Sequence, residues 1–161
     1  MFFSISTAQA AEITIPSYGT FGGTSVDGDT FNWSSTASGY QSWGGFAATN
    51  DGGGEAYLPF IFSADGQLTV NAAVESGGSA TLRFVFENAP HPNNTPNFEV
   101  SIPISGSTIQ TYTATLPAQG DQTFSNFVFY ITEADTPVQI QDIQVVYDDP
   151  VVDPNAPTPG A

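Results

Sequence analysis

Two tryptophans, Trp33 and Trp43, and a single cationic side chain, Arg83, are the groups of this sequence best suited to holding a ligand by contact. Trp43 stands in GYQSWGGFAATNDGGGEAY, residues 39–57, where large rings are set among glycines and small polar residues that favour neither helix nor regular strand. Ordering a glycine-rich segment loses much chain entropy, so such a loop is kept where it carries function. Bond-making chemistry has less to work with. Glu55, Glu75, Glu87, Glu99 and Glu133 are scattered, and no spacing among them selects a facing pair of carboxylates for acid–base hydrolysis. The nucleophile-elbow and H-E-x-x-H patterns are missing, and one histidine with no cysteine leaves a His-ligated zinc or a thiolate nucleophile without ligands.

Charge narrows the partners. Sixteen acidic residues face Arg83 alone, for a formal net charge of -15. Neutralising a phosphate backbone takes several Lys or Arg side chains, so nucleic acid is excluded, and an anionic membrane surface with it. No run approaches the ~20 apolar residues of a membrane-spanning helix. An acidic surface also simply keeps an exported protein soluble.

The two ends differ in composition from the middle. Residues 1–10, MFFSISTAQA, place Ala8 and Ala10 as the small residues of an A-x-A cleavage site, although the apolar part is short and the cationic start is missing. A signal peptide over 1–10 and a secreted, extracellular protein are expected. Residues 148–161, DDPVVDPNAPTPGA, are proline-rich and read as a semi-rigid linker to a further domain.

Between these ends, 161 residues suit one domain, here 11–147, expected to be monomeric. Strand patterns alternate with Gly, Pro, Asn and Asp clusters, and no segment sustains a helical period. QLTVNAAV puts Leu68, Val70, Ala72 and Val74 on one side, while TLRFVFE puts Leu82, Phe84 and Phe86 opposite Arg83, Val85 and Glu87. FEVSIPI, TYTATL, NFVFYIT and QIQDIQVVY read as further strands, with Pro103 marking an edge or a bulge. The expected fold is all-β, a two-sheet β-sandwich of jelly-roll type. Val85 beside Arg83 and Glu87, and Val128 beside Tyr130, give outward faces more apolar than a plain solvated face. Such a face either binds something or lies under a loop or a neighbouring domain.

YQSWGGFA, LRFVFENAPHPNNTPNF, YTATLPAQGDQTFSNFVFYI and VQIQDIQVV together resemble the jelly-roll carbohydrate-binding modules attached to secreted marine bacterial glucanases, notably laminarinases. The resemblance spans about residues 13–147. It implies a non-catalytic module that binds a neutral polysaccharide, a β-1,3-glucan such as laminarin, and targets an appended glycoside hydrolase. A structural or adhesive extracellular β-domain, or a β-sandwich glycan-degrading enzyme, are the alternatives.

A pyranose packs its C–H face on an aromatic ring while its hydroxyls need directed partners. Trp43 is the first choice of platform and Trp33 the second, with Tyr40 and Tyr130 as rim rings. Arg83 and Glu87 on one strand face, and His91, Asn93 and Asn94 in the following hairpin, are the polar candidates. Each tryptophan has a rival role in a sandwich core, and His91 between two prolines has one as a loop residue. The resemblance further implies a structural Ca2+ ion held away from the sugar by carboxylates of the first and last strands, which here are Glu12 and Asp142, together with backbone carbonyls. Near Asp142 the apolar parity flips, from Val138 and Ile140 to Ile143 and Val145, the mark of a bulge. Asp27 and Asp29 are a weaker pair, since Asp-Gly-Asp commonly makes a turn.

Overall fold

A computed structural model describes residues 9–48 and 58–149, so residues 1–8 of the expected signal peptide and all but Asp148 and Asp149 of the linker lie outside the described residues. The described chain is built of antiparallel strands. In order these are β1 (Gln9–Thr14), β2 (Gly19–Phe21), β3 (Thr24–Asp27), β4 (Thr30–Trp33), β5 (Gly45–Ala47), β6 (Phe60–Ile61) and β7 (Gly66–Val74). They continue as β8 (Ser79–Glu87), β9 (Asn97–Ser105), β10 (Gln110–Leu116), β11 (Thr123–Phe124), β12 (Asn126–Ile131) and β13 (Val138–Asp149).

One sheet runs β10-β7-β13-β4-β3, with β1 also paired to β13; the other runs β2-β5-β12-β8-β9; β6 and β11 form a small pair of their own. The two large sheets sandwich one core. Period-two alternation drives it: Leu68, Val70, Ala72 and Val74 of β7, and Leu82, Phe84 and Phe86 of β8, are all buried, as the sequence pattern demands. Phenylalanine supplies most of the bulk, with Phe86 stacked on Phe127 at 4.5 Å and on Phe98 at 5.0 Å between ring centroids.

Two local expectations meet their elements. Pro103 lies on β9, the outer strand of the five-stranded sheet, where its lack of an N–H breaks no inner ladder. The parity flip in β13 is a register shift between Ile140 and Asp142 against β7. On one side of this shift β13 pairs with β4, and beyond it with β1.

The outward face of the five-stranded sheet is not uniform. The register sets Tyr130 beside Arg83, Val128 beside Val85 and Asn126 beside Glu87. Val85, Val128, Asn126 and Glu87 are all buried, whereas the Arg83 side chain stays open to solvent. Along β8 and β12, the end of this face at Arg83 and Tyr130 is thus the open one among the described residues.

Candidate functional site

At that open end lies a cleft of about 350 Å³, lined by Trp33, Trp43, Arg83, Tyr130 and Thr132, with Ser42 at its rim. These residues come from three separate parts of the chain. Trp33 ends β4, Trp43 sits in the loop before β5, and Arg83 and Tyr130 are neighbours across β8 and β12.

The loop that carries Trp43 is a chain of tight turns. Ala37 N–H donates to Ser34 O (3.1 Å), Tyr40 N–H to Ala37 O (3.1 Å) and Gly44 N–H to Gln41 O (3.0 Å). Glycine is required where this loop meets the β2–β3 turn. A Cβ on Gly22 would lie 2.5 Å from Gly44 Cα, and one on Gly23 2.6 Å from the Tyr40 backbone, so the two segments touch main chain to main chain. Gln41 N–H donates to Gly22 O (3.0 Å) across that contact. The Trp43 ring then stacks on Phe21 (6.4 Å, 17° between planes) and remains 59% exposed. An indole backed by another ring on one side has its free side fixed in direction.

Trp33 is held still more firmly. Its Nε1–H donates to Gln41 O (3.0 Å), and its ring stacks on Tyr40 (5.6 Å, 22°). Asp135, in the turn after β12, reaches back over 100 residues of sequence to the same segment: its Oδ1 accepts Ser35 N–H (2.8 Å) and its Oδ2 accepts Ser35 Oγ–H (2.6 Å). Its own N–H donates to Trp33 O (2.9 Å). Asp135 is in the left-handed region, φ 62°, a conformation that Asp and Asn tolerate better than other residues with a side chain. The Ser35 hydroxyl and then the Ser35 N–H hold its carboxyl below the ordinary carboxylate range.

A depressed carboxyl contributes its clamp fully above the ordinary range and loses it only as pH falls through the lowered value. With Trp43→Phe as background, Trp33 is the one remaining indole. Its emission is expected to hold through the ordinary carboxylate range and to shift only in stronger acid. Asp135→Ala is expected to red-shift that emission and raise its quenching by acrylamide already at neutral pH, while Asp135→Asn, which suits the same backbone, shifts it less. Identical spectra for all three proteins would remove Asp135 from the support of Trp33.

The cleft floor is made by Tyr130 and Arg83. The Tyr130 ring lies directly over Gly45, where a Cβ would sit 2.7 Å from two ring carbons. Arg83 Cζ stands 4.5 Å from the Tyr130 ring centroid, in cation–π range, and Arg83 Nη1–H donates to Glu99 Oε2 (3.1 Å). Burial, followed by the charge of Glu87, pushes the Tyr130 phenol up; Arg83 works against this, and Glu99 adds to it.

The structure thus brings four of the expected ligand-site residues, Trp33, Trp43, Arg83 and Tyr130, into one cleft. Tyr40 acts from behind Trp33 rather than at the rim. Glu87 is placed elsewhere: four residues along the same strand face is about 13 Å, and it is 7% exposed. Its Oε1 accepts from Asn126 Nδ2 (2.8 Å) on the neighbouring strand β12 and its Oε2 from Asn94 Nδ2 (2.9 Å) in the hairpin that follows β8, so both oxygens are taken up by structural contacts. His91 and Asn93 lie exposed in that hairpin, outside the cleft, with Asn93 N–H donating to Pro90 O (3.1 Å).

The carboxylates expected to share a calcium ion do not meet. Glu12 is opposite Val146, and Asp142 is four positions away along β13, about 13 Å at strand rise. Asp142 instead accepts from Asn71 Nδ2 (3.3 Å). Among the described residues no group of three or more His, Asp or Glu side chains is gathered to hold a metal.

No protein-family profile and no curated protein sequence matches the chain. Solved structures do. The CBM1 module of BiXyn10A in its apo form superposes with a TM-score of 0.50 at 12% identity, over 85% of this chain and 96% of that one. The CBM22-1 xylan-binding domain of Paenibacillus barcinonensis Xyn10C gives 0.47 at 10% identity, over 92% and 100%. The CBM22-1–GH10 modules of Clostridium thermocellum xylanase 10B, complexed with xylohexaose, give 0.48 at 7% identity. The match covers 84% of this chain but only 26% of that xylanase chain. At such identities the likeness speaks for the fold alone: a β-sandwich of the kind seen in carbohydrate-binding modules.

Proposed function

We propose that this chain is a secreted, non-catalytic carbohydrate-binding module that holds a neutral polysaccharide, a β-1,3-glucan such as laminarin, and targets an appended glycoside hydrolase through the 148–161 linker. The observation that carries this reading is the cleft itself. Two indoles, each stacked on another ring, stand beside a phenol and a guanidinium. That set supplies flat apolar faces for pyranose C–H groups and donors for their hydroxyls. The fold is one that carbohydrate-binding modules use, and the β-1,3 linkage rests on the sequence resemblance.

Hydrolysis would ask for two carboxylates facing each other across a glycosidic bond. The cleft presents rings, a guanidinium and hydroxyls at that place. The gain for the appended enzyme is proximity, since tethering to a polymeric substrate raises effective concentration without new chemistry.

Neutrality follows from charge. A uronate or sulfate buried here would lose hydration without a free cation to replace it, and the whole chain carries a formal net charge of -15. In affinity electrophoresis the protein is expected to be retarded by laminarin, much less by alginate or carrageenan in calcium-free buffer, and to keep its laminarin retention when salt is raised. A reducing-end assay on the same glucan is expected to stay at background. Stronger retention by alginate than by laminarin would sink the charge argument, and release of reducing ends would make the chain an enzyme.

A further inference from the structure

Arg83 is the only Lys or Arg in the chain, and it lies in the ligand cleft. A lone guanidinium in a carbohydrate cleft would ordinarily attract carboxylated sugars, because its planar fork matches a carboxylate. Here that fork is already engaged. Glu99, on the neighbouring strand β9, accepts from Arg83 Nη1 at 3.1 Å, and both side chains are about half exposed, 42% and 51%. The Tyr130 ring covers the guanidinium at 4.5 Å. The contact with Glu99 uses a single nitrogen, so other N–H donors of Arg83 remain for hydroxyl groups. The phenol of Tyr130 senses the same balance: after burial, Glu87 and Glu99 both raise it, and Arg83 alone opposes them. The guanidinium in this cleft is thus paired with a carboxylate and covered by a ring.

We propose that Glu99 is a specificity-determining residue, which cancels the charge of Arg83 so that the cleft accepts neutral sugars and refuses uronates. The proposal rests on the carbohydrate-binding reading and deepens it. An exposed ion pair of this kind contributes little to stability, so Glu99 has scant value as a structural brace. Its effect is on which ligand competes for Arg83. A carboxylated sugar has to displace Glu99 or place its charge beside it. A hydroxyl does neither.

The test uses two ligands with one backbone: laminarin, and laminarin oxidised at C6 so that glucose units become glucuronate. Affinities are measured for the parent, for Glu99→Gln, and for Glu75→Gln, a control that removes one exposed charge elsewhere. The parent is expected to bind oxidised laminarin at least tenfold more weakly than laminarin at low salt. Glu99→Gln is expected to narrow that gap at least fivefold while laminarin affinity stays within about twofold, and Glu75→Gln is expected to leave the gap in place. An unchanged gap in Glu99→Gln overturns the proposal. So does equal narrowing in Glu75→Gln, which would assign the effect to overall charge, and so does a tenfold loss of laminarin affinity in Glu99→Gln with the fold intact, which would make Glu99 a direct sugar ligand. If the parent binds neither polymer, it is the carbohydrate-binding reading that fails.

Discussion

Replacing Trp43 with alanine is expected to weaken retention on laminarin by about 1–3 kcal/mol, roughly 5- to 150-fold in affinity. The melting temperature should stay within about 2 °C of the parent, because the ring is 59% exposed and its removal leaves no cavity in the core. The size of the binding effect follows from how the indole is presented. Phe21 backs one side, and the Gly22–Gly44 backbone contact fixes the loop, so little rotamer entropy is left to lose on binding. Affinity electrophoresis alongside a thermal melt separates the outcomes. A mutant that no longer folds would make Trp43 a structural residue, and unchanged retention would take it out of the ligand site.

Replacing Phe86 with alanine is expected to destabilise the fold by about 3–5 kcal/mol, a large share of the ~5–15 kcal/mol typical of a single domain. Phe86 is fully buried and is in contact with four other rings. It stacks on Phe127 and Phe98 and meets Phe60 and Phe62 edge-on at 5.7 and 5.2 Å. These partners come from three separate segments, β6 with the residue after it, β9 and β12, so the void cannot be closed by one local shift. Urea unfolding should show a lower midpoint with little change in slope. A loss under about 1 kcal/mol would mean that the surrounding rings repack into the space.

Much of the sandwich was legible without coordinates because a strand's two faces alternate residue by residue. Leu82, Phe84 and Phe86 against Arg83 and Val85 already assign β8 an inside and an outside, and the flip between Ile140 and Ile143 marks the bulge in β13. The short strands β2 to β6 and β11 carry too few residues for any period, and they emerge only from the partners they pair with.

The site was legible as residue types and not as a place. That Trp43 on a glycine-rich loop should face outward follows from local chain entropy, and that the sole guanidinium matters follows from composition. Local sequence carries no measure of distance between β4, β8 and β12, however, and it weighed Glu87 equally with Arg83. Cross-strand register decides between them. Arg83 pairs with Tyr130 at the open end of the sheet, and Glu87 pairs with Asn126 where the same face is buried. Tertiary structure likewise separated Glu12 from Asp142, and it joined Asp135 to Ser35 and Glu99 to Arg83. Alternation, composition and the glycine-rich loop were enough to specify the sandwich, its acidity and an outward-facing ring. Which of those groups meet was decided by strand pairing, because a hydrogen-bonded register brings together residues whose separation along the chain holds no record of their distance.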